Sequence, residues 1–206
     1  MMTPRESTAR PTRKNPPDAA PGGPAGHEPE DPDRKPSDEL TGALNAQVGH
    51  ELAASHQYVA IAAYFDAEAL PQLAHFFYRQ ADEEREHAMK IVKFLLDVGG
   101  TVEIPAVPAP RADFDSVEEA VSLALDHENE VTGQIFALVE RARDDKDYIA
   151  LRFFDWFVDE QREEMATMGA LLQVVRRAHP DVLHVEDYLA RAGGPPRDSG
   201  GAIEGS

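Results

Sequence analysis

Glu51, Glu84, His87 and Glu128 occupy positions where the helical pattern of this chain calls for apolar side chains. Along residues 71–98 the core-facing spacing steps through Leu73, Phe77 and Gln80 to Glu84 and His87, then resumes at Ile91, Phe94 and Val98. Glu128 falls between Ala124 and Val131 in the same way, and Glu51 between Val48 and Ser55, with Tyr58 seven residues on along that face. In a fourth stretch Phe153 and Phe157 lead into Glu160 and Glu164, followed by Met168, Leu171 and Val175. A single acid on a helix is ordinarily solvated. Acids in core phase on four helices, each near its helix midpoint and so at one level of a bundle, require another explanation.

Carboxylates gathered in a core repel one another and lose hydration worth several kcal/mol each, so they must be protonated, hydrated or matched by cations. No lysine or arginine shares their phase, and none is in phase with the flanking acids Glu83, Glu160 and Glu163. Two divalent metals would set four positive charges against the three negative charges of Glu51, Glu84 and Glu128, with neutral His87 as a nitrogen ligand. Oxygen-rich ligation with little nitrogen and no sulfur suits iron or manganese, with zinc as a competitor. The metal-free alternative is a hydrated polar layer. His50, His56, His75 and His127 lie out of phase and read as surface or interface residues, and Trp156, Phe153, Phe154 and Phe157 as core or subunit contacts.

The elements that place these residues occur twice. "DEEREH" at Asp82 and "DEQREE" at Asp159 are 77 residues apart, and the same offset carries Glu51 onto Glu128 and Gln57 onto Gln134. In the second copy Gln161 stands for Glu84 and Glu164 for His87. Periodicity predicts helices over roughly 39–66, from Pro71 to before Gly99, after the capping Ser116, and from "DDKD" to about His179, with a short fifth at 186–192. Short links make two antiparallel hairpins. The link from Gly99 to Asp115 is long and proline-bearing, and about 16 extended residues can span a helix of about 42 Å. The expected fold is therefore all-α, a four-helix bundle with one lengthwise crossover.

Residues 1–38 hold nine prolines and almost no large apolar side chain, and 193–206 are Gly-rich, so both are expected to be disordered tails around one domain at 39–192. A net charge of −18 argues against nucleic-acid or anionic-membrane partners and favours cations. The absence of cysteine excludes disulfides and thiolate sites, and no apolar run suggests a membrane span or a signal peptide.

The segments "ELAASHQYVAIAAY", "EEREHAMK", "DHENEV" and "FVDEQREE" resemble the ferroxidase motifs of ferritins, nearest to the non-haem bacterial ferritins, over about residues 39–192. The resemblance implies a cytoplasmic iron store that oxidises Fe(II), with O2 or H2O2 as acceptor, at a dinuclear site within each subunit. It further implies a homo-oligomeric cage of twenty-four chains that holds a ferric oxide mineral. By motif, Glu51, Glu84 and His87 hold the first iron, Glu84 also bridges, Glu128 holds the second beside Gln161, and Tyr58 stands behind the ligands. The family adds a third iron position, here Glu83, Glu160, Glu163 and Glu164. A bacterioferritin would carry Glu-x-x-His in both halves, and haem ligation would want a methionine next to the bridging acid, where Arg85 stands; no haem is expected. The competing functions are another di-iron carboxylate oxidase or rubrerythrin-like peroxidase, a Dps-like mini-ferritin, and a purely structural cage.

Overall fold

The computed structural model describes residues 35–192. Five helices follow one another, α1 (Asp38–Ala67), α2 (Pro71–Asp97), α3 (Val117–Asp144), α4 (Tyr148–Ala178) and α5 (Leu183–Ala192), and no strand occurs among the described residues. The fold is an all-α four-helix bundle with a short C-terminal helix. Three of the long helices start on their own caps: Ser37 Oγ accepts from the Leu40 N–H, Ser116 Oγ from that of Glu119, and Asp147 Oδ1 from that of Ala150. Helix α2 opens on Leu70–Pro71, which supplies no such oxygen. Glu186 of α5 does so instead, its two carboxylate oxygens each 2.9 Å from the N–H groups of Gln72 and Leu73. Helix α2 ends where Gly99 turns the chain at φ 69°, a conformation that glycine adopts without steric cost.

Helix boundaries agree with the periodicity to within a residue or two except at α5, which begins at Leu183 rather than Glu186. Asp181 is the cause: its carboxylate accepts from the Leu183 N–H at 3.1 Å, and Val185 is thereby carried into the core. The tail expectations fall almost wholly outside the described residues. Within them, Pro36 is buried, Ser37 is the α1 cap and Asp38 is already helical.

The crossover lies along α1 and runs in the same direction. Asn45 Nδ2 donates to the Thr101 carbonyl and Asn45 Oδ1 accepts from the Glu103 N–H, both at 2.8 Å. Gln57 makes the same two-way pairing with the backbone of Arg111, at 2.7 and 2.8 Å. Between these grips the chain presses on the helix so closely that a Cβ at Gly49 would collide with the Pro105 ring. Ser37, at the start of α1, donates to Asp145, at the end of α3, so α3 runs antiparallel to α1 and parallel to α2.

The apolar core comes in two pieces. One holds Ile61, Phe65, Phe77, Val121 and Met168, and the other holds Leu44, Val48, Ile91, Ile135 and Phe154. The acids lie in the layer between. No helix among the described residues is long and apolar enough to cross a membrane.

Candidate metal centre

Buried polar residues occupy that layer on all four long helices: Glu51 on α1, Glu84 and His87 on α2, Glu128 on α3, and Gln161 and Glu164 on α4, none more than 6% exposed. Glu84 and His87 are three residues apart and so share a helix face, with His87 Nδ1 3.5 Å from Glu84 Oε2. One ligand atom each from Glu51, Glu84 and His87 lies within 4.8 Å of the other two. The outer oxygens are held from behind. Gln47 Nε2 donates to Glu51 Oε1 at 3.0 Å, and the Tyr58 phenol donates to Glu128 Oε1. The inner atoms are not held: Glu51 Oε2, Glu84 Oε2, His87 Nδ1 and Glu128 Oε2 are buried with no hydrogen-bond partner. Buried polar atoms are normally satisfied, and three carboxylate oxygens with one imidazole nitrogen form a donor set that fits iron.

Electrostatics shows the same strain. Burial and the neighbouring Glu84 push the Glu51 pKa well above its ordinary value, and burial with Glu128 raises that of Glu84. Burial raises Glu128 to about 7 against the lowering effect of the Tyr58 hydrogen bond, and burial with Glu128 raises Glu164 to about 8. The Tyr58 phenol, raised by burial and by Glu128, stays protonated and remains a donor. No lysine or arginine is buried among the described residues.

On α4 the structure corrects the predicted stripe at one acid and leaves Phe157, Glu164, Met168, Leu171 and Val175 buried as expected. Gln161, four residues after the buried Phe157, takes the core position, and Glu160 is half-buried at its shoulder. The Thr132 hydroxyl donates to Gln161 Oε1 at 3.0 Å, leaving Gln161 Nε2 toward the layer without a partner. A hydroxyl accepts as readily as it donates, so a half-turn of the amide presents the oxygen instead. Of the acids assigned to a third position, Gln80 links Glu83 and Glu164: its Nε2 donates to Glu83, and to Glu164 Oε1 at 3.5 Å. Glu160 acts electrostatically on both, whereas Glu163 is exposed, 3.8 Å from Arg162. Two cations approach this group from the exposed side, outside the core phase. Lys90, its ammonium 3.4 Å from the centroid of the Trp156 ring, interacts with Glu160, and Arg79 with Glu83.

His50, His56 and His75 are exposed and His127 is half-buried. Phe154 and Phe157 are core, while Trp156 meets the His87 ring edge-on at 5.4 Å. Sequence reasoning gave no role to Gln47, Gln80 or Thr132. Helical spacing put Gln47 within reach of Glu51, four residues on, whereas Gln80 and Thr132 reach Glu164 and Gln161 on another helix, which spacing along one helix does not show.

Residues 41–178 match the family model described as "Ferritin-like domain". The chain belongs to the ferritin family. Among its ferritin relatives, Ferritin BfrB of Mycobacterium tuberculosis is 44% identical over 175 residues, covering 82% of this chain and 97% of that protein. The bacterial non-heme ferritin of Staphylococcus aureus is 43% identical over 145 residues, covering 70% and 87%. Among solved structures, an open pore ferritin from the archaeon Archaeoglobus fulgidus superposes with a TM-score of 0.73 at 33% identity, covering 75% of this chain and 96% of that one. Iron is therefore the metal against which the buried donor set is to be read.

Proposed function

We propose that this ferritin is a ferroxidase and iron store. The observation that carries the reading is the set of four partnerless buried atoms on Glu51, Glu84, His87 and Glu128 in a layer without a buried cation. Fe(II), the substrate, takes one position at Glu51, Glu84 and His87, and a second at Glu128 beside Gln161, with Glu84 shared between them. Each ferrous ion gives up one electron. One O2 accepts two electrons and two protons to become H2O2, and H2O2 can itself serve as acceptor.

The side chains prepare for this chemistry. The protons that the raised pKa values keep on the acids at neutral pH leave as metal enters, so binding replaces proton by cation with little change in local charge. Tyr58 holds one oxygen of Glu128, which turns the other toward the centre. Gln161 in the second half, standing where the first half has Glu84, makes the weaker of two half-sites, and a weak half-site lets oxidised iron leave for the mineral. Glu83, Glu160, Glu163 and Glu164 form an accessory position for a third ion. The folded domain at 39–192 assembles as a cytoplasmic cage of twenty-four chains around ferric oxide.

Adding ferrous iron under air to the purified apo-protein tests the reading. The expected result is rapid ferric absorbance and a soluble, mineral-loaded particle. Oxidation at the buffer rate, ending in precipitated ferric hydroxide, contradicts it.

A further inference from the structure

Gln80 is a buried amide at a place that could have been apolar. The 77-residue offset pairs it with Phe157, so the second half of the repeat fills the corresponding position with an aromatic ring. Gln80 is 4% exposed, and burying an amide is costly unless its hydrogen bonds are made. Its bonds are made to acids. One NH2 group, with two N–H donors, serves Glu83 on α2 and Glu164 on α4, while Oε1 is buried with no partner. Those two acids otherwise oppose each other, since the charge of Glu83 on α2 raises the pKa of Glu164 on α4.

We infer that Gln80 is the positioning residue of the accessory cation site: its amide clamps Glu83 and Glu164 so that their remaining oxygens converge on one divalent ion. The inference rests on the accessory position proposed above, and adds to it the residue that makes a site of two repelling carboxylates. It also separates the roles of neighbouring acids. Glu84 turns to the dinuclear pair, and Glu83, next to it on the helix, is kept away from that pair by its bond to Gln80.

Calorimetric titration of the apo-protein with ferrous iron under nitrogen tests this, using the parent, Gln80→Met, Gln80→Leu and the control Glu164→Ala. Orienting partners of metal ligands typically account for a 10- to 100-fold share of affinity, so both Gln80 variants are expected to bind the last ion at least about tenfold more weakly. Affinity for the earlier ions and the first fast oxidation under air should stay at the parent level, which a general packing defect would not spare. Parent-like affinity for the last ion in both Gln80 variants, with its loss in Glu164→Ala, overturns the role of Gln80 alone. A last ion retained in Glu164→Ala, or lacking in the parent, overturns the accessory site and the inference with it.

Discussion

The Tyr58 phenol on α1 donates a hydrogen bond to the Glu128 carboxylate on α3, across 70 residues of sequence, and its oxygen also lies 3.4 Å from the Ala124 carbonyl. This bond joins the two halves of the repeat at the level of the proposed iron centre. It stabilises Glu128 as an anion in a place where burial opposes the charge. Tyr58→Phe is expected to raise the Glu128 pKa further above about 7 and to weaken ferrous binding at the second position by about tenfold. Calorimetry under nitrogen measures the affinity, and repeating it across pH shows whether the loss shrinks as Glu128 ionises.

The apo-protein should lose stability as pH rises. Glu128 and Glu164 have folded-state pKa values of about 7 and about 8, above the ordinary carboxylate value, so the folded state holds protons that the unfolded chain has released. Their contribution is fully present below the unfolded pKa and declines through the window up to about 8, by at most about 1.4 kcal/mol per pH unit for each group. Melting temperatures of metal-free protein between pH 5.5 and 8.5 check the sign. Zinc, which displaces the protons, should raise the melting temperature most at the alkaline end.

Much of this architecture was legible because helical phase is a strong signal. Glu51, Glu84, His87 and Glu128 stood out as polar residues in apolar stripes, and all four are buried at one level. On helix α4 Phe157, Glu164, Met168, Leu171 and Val175 lie in the expected phase, but Phe154 and Gln161 are buried in place of Phe153 and Glu160, because Phe153 and Phe154 offer two overlapping stripes and only packing decides between them. The partners of the acids were harder to see. Whether Gln47 or Gln80 turns toward an acid depends on χ angles that no spacing rule specifies. The grip of Asn45 and Gln57 on the crossover, and that of Glu186 on the start of α2, join elements far apart in sequence.

The two amide grips on the crossover are structural and should be separable from chemistry. Asn45→Ala and Gln57→Ala each remove two hydrogen bonds to crossover backbone, which should cost about 1–3 kcal/mol where the freed groups stay shielded from water. Denaturant unfolding measures that loss. Ferrous stoichiometry under nitrogen should match the parent, since neither amide contacts the acid layer.

Glu84 is the residue through which the account stands or falls, because it alone is proposed to touch both irons. Its burial with a raised pKa makes it a destabilising charge in the empty bundle at alkaline pH. Glu84→Gln keeps the shape and removes that charge, so the metal-free variant should fold and melt at or above the parent temperature at pH 8.

Stopped-flow oxidation of ferrous iron by air, with parent and Glu84→Gln side by side, is the most direct test of the dinuclear centre. The parent should oxidise about two irons per chain in a fast first phase, one for each half-site, and the variant should lose that phase. A fast phase of equal size and rate in the folded Glu84→Gln protein would contradict the centre described here.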